Sequence, residues 1–73
     1  MNNLLPADIG RRVRKVRILK MGWTQANLAE ATGLTVEAIS RIENSRNQGP
    51  PRLSTLQRIA EATGVPITTF TEG

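Results

Sequence analysis

At 73 residues the chain has room for one small domain, and with 38% hydrophobic residues, one Trp, one Phe and no Tyr its core must be built from aliphatic side chains. It contains neither His nor Cys, so the usual zinc ligands, the commonest general base and all thiol chemistry are missing; with no convergent acid pair among its six carboxylates either, an enzyme is excluded and no metal or other cofactor is expected. A net charge of +4 and a sequence pI near 11.2 call for a polyanionic partner, while the absence of any apolar run near the roughly 20 residues of a membrane span makes the chain soluble and, being free of cysteine, suited to the cytoplasm.

Residues 1–8 form a short polar, proline-containing lead expected to be flexible, and residues 9–73 form the domain. Asp8 is placed to cap a first helix in which Ile9, Val13 and Val16 recur at helical spacing and which Gly22 ends. Six basic residues (Arg11, Arg12, Arg14, Lys15, Arg17, Lys20) and no acid lie between positions 9 and 25, whereas positions 26–73 hold four basic residues against five acids. The positive charge therefore sits mainly on the first helix.

Thr24 is an N-cap for a second helix that starts near Gln25, buries Leu28 and Ala29, and stops at Gly33, where a left-handed residue is needed. Leu34 is a hydrophobic contact in the turn, and Thr35 caps a third helix over Val36 to about Glu43. Two helices joined so tightly must cross steeply. At about 100° per residue, Ala38, Ile39 and Ile42 fall on one side of the third helix, and Val36, Glu37, Ser40, Arg41 and Asn44 on the other.

Residues 44–52 (NSRNQGPPR) read as a loop. A fourth helix follows, with Leu53, Leu56, Ile59, Ala60 and Thr63 on one buried face and Gly64 at its end. Pro66 suits the first turn of a last short helix that turns Ile67 and Phe70 inward. The hexapeptide Leu28-Ala29-Glu30-Ala31-Thr32-Gly33 returns as Ile59-Ala60-Glu61-Ala62-Thr63-Gly64, 31 positions on. Two short copies are too few for a repeat protein, so shared helix-ending chemistry is the better explanation.

The residues Gly22-Trp23-Thr24-Gln25, Leu28-Ala29, Gly33, Ile39, Arg41-Ile42-Glu43, Leu53, Leu56, Ile59-Ala60 and Gly64-Val65 carry a resemblance to the Cro and phage-repressor-like (Xre-type) helix-turn-helix proteins. It spans about Ile9 to Phe70, and although each piece is common, the joint spacing is specific. The resemblance implies an all-α fold, a four- to five-helix lambda-repressor-like DNA-binding domain. Against the common family pattern, the segment between Arg17 and Gly22 is one residue longer, which alters the phase of Ile18 and Met21. Asn44-Ser45 stands where a glycine is usual, making Asn44 a candidate for the left-handed conformation. Arg52 replaces a frequent Ser, and since it cannot cap the fourth helix, phosphate contact is the more attractive reason for it.

Resemblance places Gln25 on a DNA phosphate at the positive end of the second helix, against the plain alternative of an exposed polar residue. For Thr35 a phosphate contact is implied too, though capping alone explains it. Asn44, Arg46, Asn47 and Arg52 belong to a loop that relatives press onto the DNA backbone, with Arg46 and Arg52 the stronger pair. Val36, Glu37, Ser40 and Arg41 form the base-reading set on the face a recognition helix inserts into the major groove. Arg41 matches the two acceptors of guanine, with a phosphate clamp as its competing role. Glu37 either accepts from a cytosine amino group or repels wrong sequences and pairs with Arg41. Val36 could touch a thymine methyl and Ser40 several bases. Glu43 is implied to pair with an Arg of the first helix, Arg17 or else Arg14, as a structural ion pair.

A basic amphipathic first helix also fits a membrane surface, but its apolar stripe is narrow and is needed for the core, so its charges are better read as steering toward DNA. The function implied is a sequence-specific transcriptional regulator, a repressor binding double-stranded DNA as a homodimer on a pseudo-palindromic operator. Nothing after Gly64 is large enough to sense a small-molecule effector. The alternative is an antitoxin that binds a toxin protein and represses its own operon.

Overall fold

In a computed structural model, residues 6–44 and 50–72 are described. Among them are five helices and no strand: α1 (Pro6–Lys15), which runs on into a π-helical turn (Val16–Lys20), α2 (Gln25–Thr32), α3 (Val36–Glu43), α4 (Leu53–Thr63) and α5 (Thr68–Thr71). This is the all-α architecture expected of the sequence.

α1 starts earlier than its apolar spacing indicates, because Pro6 suits a first turn whose N–H groups have no helical partner. Asp8 consequently lies inside that turn rather than capping it, 3.7 Å from Arg11. The lead before Pro6 falls outside the described residues. At its other end the helix widens. Met21 N–H donates to Val16 O at 3.1 Å, five residues back, and Trp23 N–H reaches Arg17 O at 2.9 Å. A π-helical turn takes up one residue more than an α-turn, and it falls in the segment where the resemblance implies one residue beyond the common pattern. The widening keeps Val16 against the core and Arg17 buried while Ile18 and Leu19 are left outside. Gly22, at φ +64°, then turns the chain into α2.

The core comprises Ile9 and Val13 of α1, Leu28 and Ala29 of α2, Ile39 and Ile42 of α3, Leu56, Ile59 and Ala60 of α4, and Phe70 of α5. Leu53 is an exception to the expected face, being 61% exposed. It opens α4 at the edge of the apolar stripe, a full turn before the helix meets the core at Leu56.

Two close contacts fix how the helices are placed. α1 crosses the end of α3 at Gly10, where a Cβ would stand 2.2 Å from the carbonyl oxygen of Ile42 and 3.1 Å from that of Glu43. Only a hydrogen fits there. α5 packs on α1 through the fully buried Phe70, and the Arg12 guanidinium donates to the carbonyl oxygens of Thr69, at 3.3 Å, and Glu72.

The repeated hexapeptide ends α2 and α4 in the same way. Gly33 and Gly64 are left-handed, at φ +74° and +73°. The N–H groups of Leu34 and Val65 both return to the carbonyl of the motif's second residue, five positions back, Ala29 O at 3.1 Å and Ala60 O at 3.2 Å, which is the 6→1 bond of a Schellman stop. The Thr32 and Thr63 hydroxyls donate back to Leu28 O and Ile59 O, at 2.8 and 2.7 Å. Shared helix-ending chemistry accounts for the echo.

Candidate nucleic-acid interface

α2 and α3 are each started by a threonine. Thr24 Oγ1 accepts from Asn27 N–H at 3.0 Å while Asn27 Oδ1 accepts from Thr24 N–H at 3.0 Å, a reciprocal capping box. Thr35 Oγ1 accepts from Ala38 N–H at 3.0 Å. Both caps have the extended backbone that a cap requires. With Leu34 half-buried between them against the core, α3 is held at a fixed angle behind α2.

Ile39 and Ile42 anchor α3 in the core, and the opposite face is open. Val36, Glu37 and Arg41 are exposed, and Ser40 is half-buried. Among the described residues the ion pairs are Arg11–Asp8 and Arg17–Glu43. The expected option in which Glu37 pairs with Arg41 is therefore not realised, and both side chains stand open to a ligand. Asn44 is not left-handed: its φ is −110°. Its backbone N–H closes the helix on Ser40 O at 2.9 Å, and its side-chain Nδ2 adds to this by donating to Ser40 O at 3.0 Å and to Ser40 Oγ at 3.3 Å.

Arg52 is exposed at the start of α4 and makes no side-chain cap, as its identity implied. Arg41 and Arg52 come together on one groove between α3 and α4, whose lining also includes Leu34, Ala38, Ile42 and Pro51. The expectations for Arg46 and Asn47 lie outside the described residues.

Behind this face is a buried ion pair. Arg17 Nε donates to Glu43 Oε2 at 2.7 Å and Nη2 to Oε1 at 2.9 Å, a bidentate fork. The third nitrogen, Nη1, donates to Trp23 O at 2.8 Å. Of the two partners left open for Glu43, the structure selects Arg17. Arg14 is exposed. The hydrogen bond to Glu43 raises the Arg17 pKa above the ordinary arginine value; burial opposes this and the Glu43 charge adds to it. A raised pKa on a base means that its contribution to stability is complete throughout the neutral range and is lost only as the solution becomes strongly alkaline.

Gln25 differs from its expected setting. It is half-buried, and Nε2 donates to Glu43 Oε1 at 3.1 Å. Of the cations expected to steer the chain toward DNA, Arg17 is neutralised by Glu43, while Arg12, donating to Thr69 O and Glu72 O, and Lys20, whose Nζ donates to Thr63 O at 2.8 Å and closes the end of α4, are held by neutral carbonyls and keep their charge. Arg11, Arg14 and Lys15 remain exposed. Gly10 was missed as well, although a glycine inside a helical pattern is itself a signal for close packing.

The face so assembled is that of a helix-turn-helix module with an exposed second helix. The HTH_3 helix-turn-helix family model matches residues 13–70, and the chain belongs to that Xre (Cro/C1-type) family. It is 43% identical over 49 residues to the HTH-type transcriptional regulator SutR of Escherichia coli K12, a match that covers 67% of this chain and 26% of that one. The chain thus spans about a quarter of the curated relative it matches. Among solved structures, a hypothetical transcription factor from Neisseria superposes with a TM-score of 0.81 at 31% identity over 93% of this chain and 75% of its own. The biofilm regulator SinR, solved in complex with DNA, gives 0.73 at 28% identity over 85% and 95%. No helix among the described residues is long and apolar enough to cross a membrane.

Proposed function

We propose that the chain is a sequence-specific DNA-binding transcriptional regulator, a cytoplasmic repressor that binds a pseudo-palindromic operator as a homodimer, with half-sites about one helical turn apart. The observation that carries this reading is the doubly capped α2–turn–α3 unit, whose outer face presents Val36, Glu37, Ser40 and Arg41 while its inner face is fixed by Ile39, Ile42 and the Arg17–Glu43 fork. SinR, a structural relative bound to DNA, supports the same choice. Arg41 reads a guanine, and Glu37, left unpaired by Arg41, accepts from a cytosine amino group or excludes other bases. Gln25, Thr35, Asn44, Arg46, Asn47 and Arg52 engage phosphates on either side and fix the register.

The protein has no catalytic role in this reading. It regulates through occupancy of its site, with residues 9–73 as the binding domain. Selection of duplexes from a random pool, followed by anisotropy titration at physiological salt, is the test. Recovery of a two-fold related consensus, preferred by at least about 10³ over random DNA, is expected. Equal binding to all duplexes would sink the proposal.

A further inference from the structure

The Glu43 carboxylate serves two masters, and only one of them is needed to bury it. Arg17 already satisfies both of its oxygens through the fork. Oε1 nevertheless also accepts from Gln25, across the gap between the end of α3 and the start of α2. Gln25 is the first residue of α2, directly after the Thr24 cap, at the point where the helix end favours an anion. A free glutamine at such a position must lose its rotamer freedom when it engages a ligand. Here one N–H of its amide is held by a buried acceptor, and the second stays available.

We propose that Glu43 is a positioning residue for DNA: it holds the Gln25 amide in place so that the second N–H is presented to a phosphate before binding. This rests on the DNA-binding reading above. Arg17 extends the same arrangement to α1, since it grips Glu43 and the Trp23 carbonyl ahead of the cap. The link ties the beginning of α2 to the end of α3, so both helices meet DNA in one fixed relation.

The test is a cycle on the full chain with the selected duplex. Gln25→Ala in the native background should weaken binding by about tenfold, the size of one hydrogen bond to a charged group, with the salt slope unchanged, because a neutral amide displaces no counterion. The double variant Arg17→Met/Glu43→Leu replaces the buried pair by apolar side chains, a change such sites often tolerate. It should bind more weakly although folded, and adding Gln25→Ala to it should cause little further loss. Equal effects of Gln25→Ala in both backgrounds, or native affinity in the folded double variant, would overturn the proposal. If the double variant does not fold, the side-chain amide of Gln25 in the native free protein decides: a rigid, dispersed NMR signal that shifts with DNA supports positioning, and a motionally averaged one overturns it. Absence of any preference in the wild-type chain removes the DNA reading itself, and this inference with it. Wild-type binding without the Gln25 coupling removes the inference alone.

Discussion

α1 and α3 touch at Gly10, and both are amphipathic helices with arginine on their polar sides, yet they spend that polarity differently. Within α1 and its π-helical turn, four of the six cations have partners inside the chain: Arg17 with Glu43, Arg12 with the carbonyls of Thr69 and Glu72, Lys20 with that of Thr63, and Arg11, at the surface, with Asp8. α3 commits its only arginine to nothing internal and leaves Glu37 open beside it. Thus the helix with the most charge is largely a frame, and the nearly neutral one presents the exposed, uncommitted face to which base reading is assigned in the proposed function. Among the described residues, long-range attraction comes from the cations not neutralised by a carboxylate, namely Arg14, Lys15, Arg12 and Lys20 of the first helix, the last two held only by neutral carbonyls, together with Arg41, Arg52 and Arg58, because surface charges act over a Debye length whereas base recognition needs contact.

Breaking the frame should have the largest effect. Glu43→Ala leaves the buried Arg17 charge without its partner and is expected to cost about 3 to 5 kcal/mol, a large part of a small domain's stability, measured by urea denaturation. Gly10→Ala follows. The added methyl collides with the Ile42 carbonyl, and overpacking of this kind costs about 1 to 3 kcal/mol; because α3 must move to relieve it, DNA affinity should fall even at temperatures where the variant is fully folded.

Substitutions on the reading side should leave stability alone. Arg41→Ala is expected to relax one base position of the selected consensus by about 1 to 3 kcal/mol, with a melting curve close to the native one. Arg52→Ala should weaken all duplexes alike and reduce the salt slope by about 1. The smallest change belongs to the outer side of α1. Arg14→Gln should alter stability by less than about 0.5 kcal/mol, and slow association only at low ionic strength, which stopped-flow mixing with labelled duplex would record. A large loss of stability in Arg14→Gln, or a relaxed base position in Glu43→Ala measured while folded, would erase the contrast between the two helices.

Much of this was legible in the chain because it depends on local chemistry. The caps at Thr24 and Thr35, the stops at Gly33 and Gly64, and the division of α3 into Ile39/Ile42 and Val36/Glu37/Arg41 each require only neighbouring residues and the helical period. What escaped depends on partners far apart in sequence. Lys20 cannot be assigned to Thr63 O, nor Arg12 to α5, without knowing how the helices are stacked, and a basic residue on a helix reads as solvated until a carbonyl is found opposite it. Asn44 was misjudged because its backbone N–H and its side-chain amide both close on Ser40 O without a left-handed turn. Leu53 was misjudged because periodicity gives a side and not a depth, so a residue at the rim of the domain looks the same as one at its centre.

The π-helical turn at Val16–Lys20 acts as slack in an otherwise rigid linkage. Upstream of it, Ile9, Gly10 and Val13 are locked in phase with the core and α3; downstream, Gly22 and Thr24 are locked in phase with α2. An added residue between two such fixed points would rotate one set against the other by about 100° if the helix stayed regular. Taking it up in a single widened turn confines the disturbance to Ile18 and Leu19, which point outward. Shortening this chain by Leu19 should therefore restore a regular turn and leave α3 in the same place.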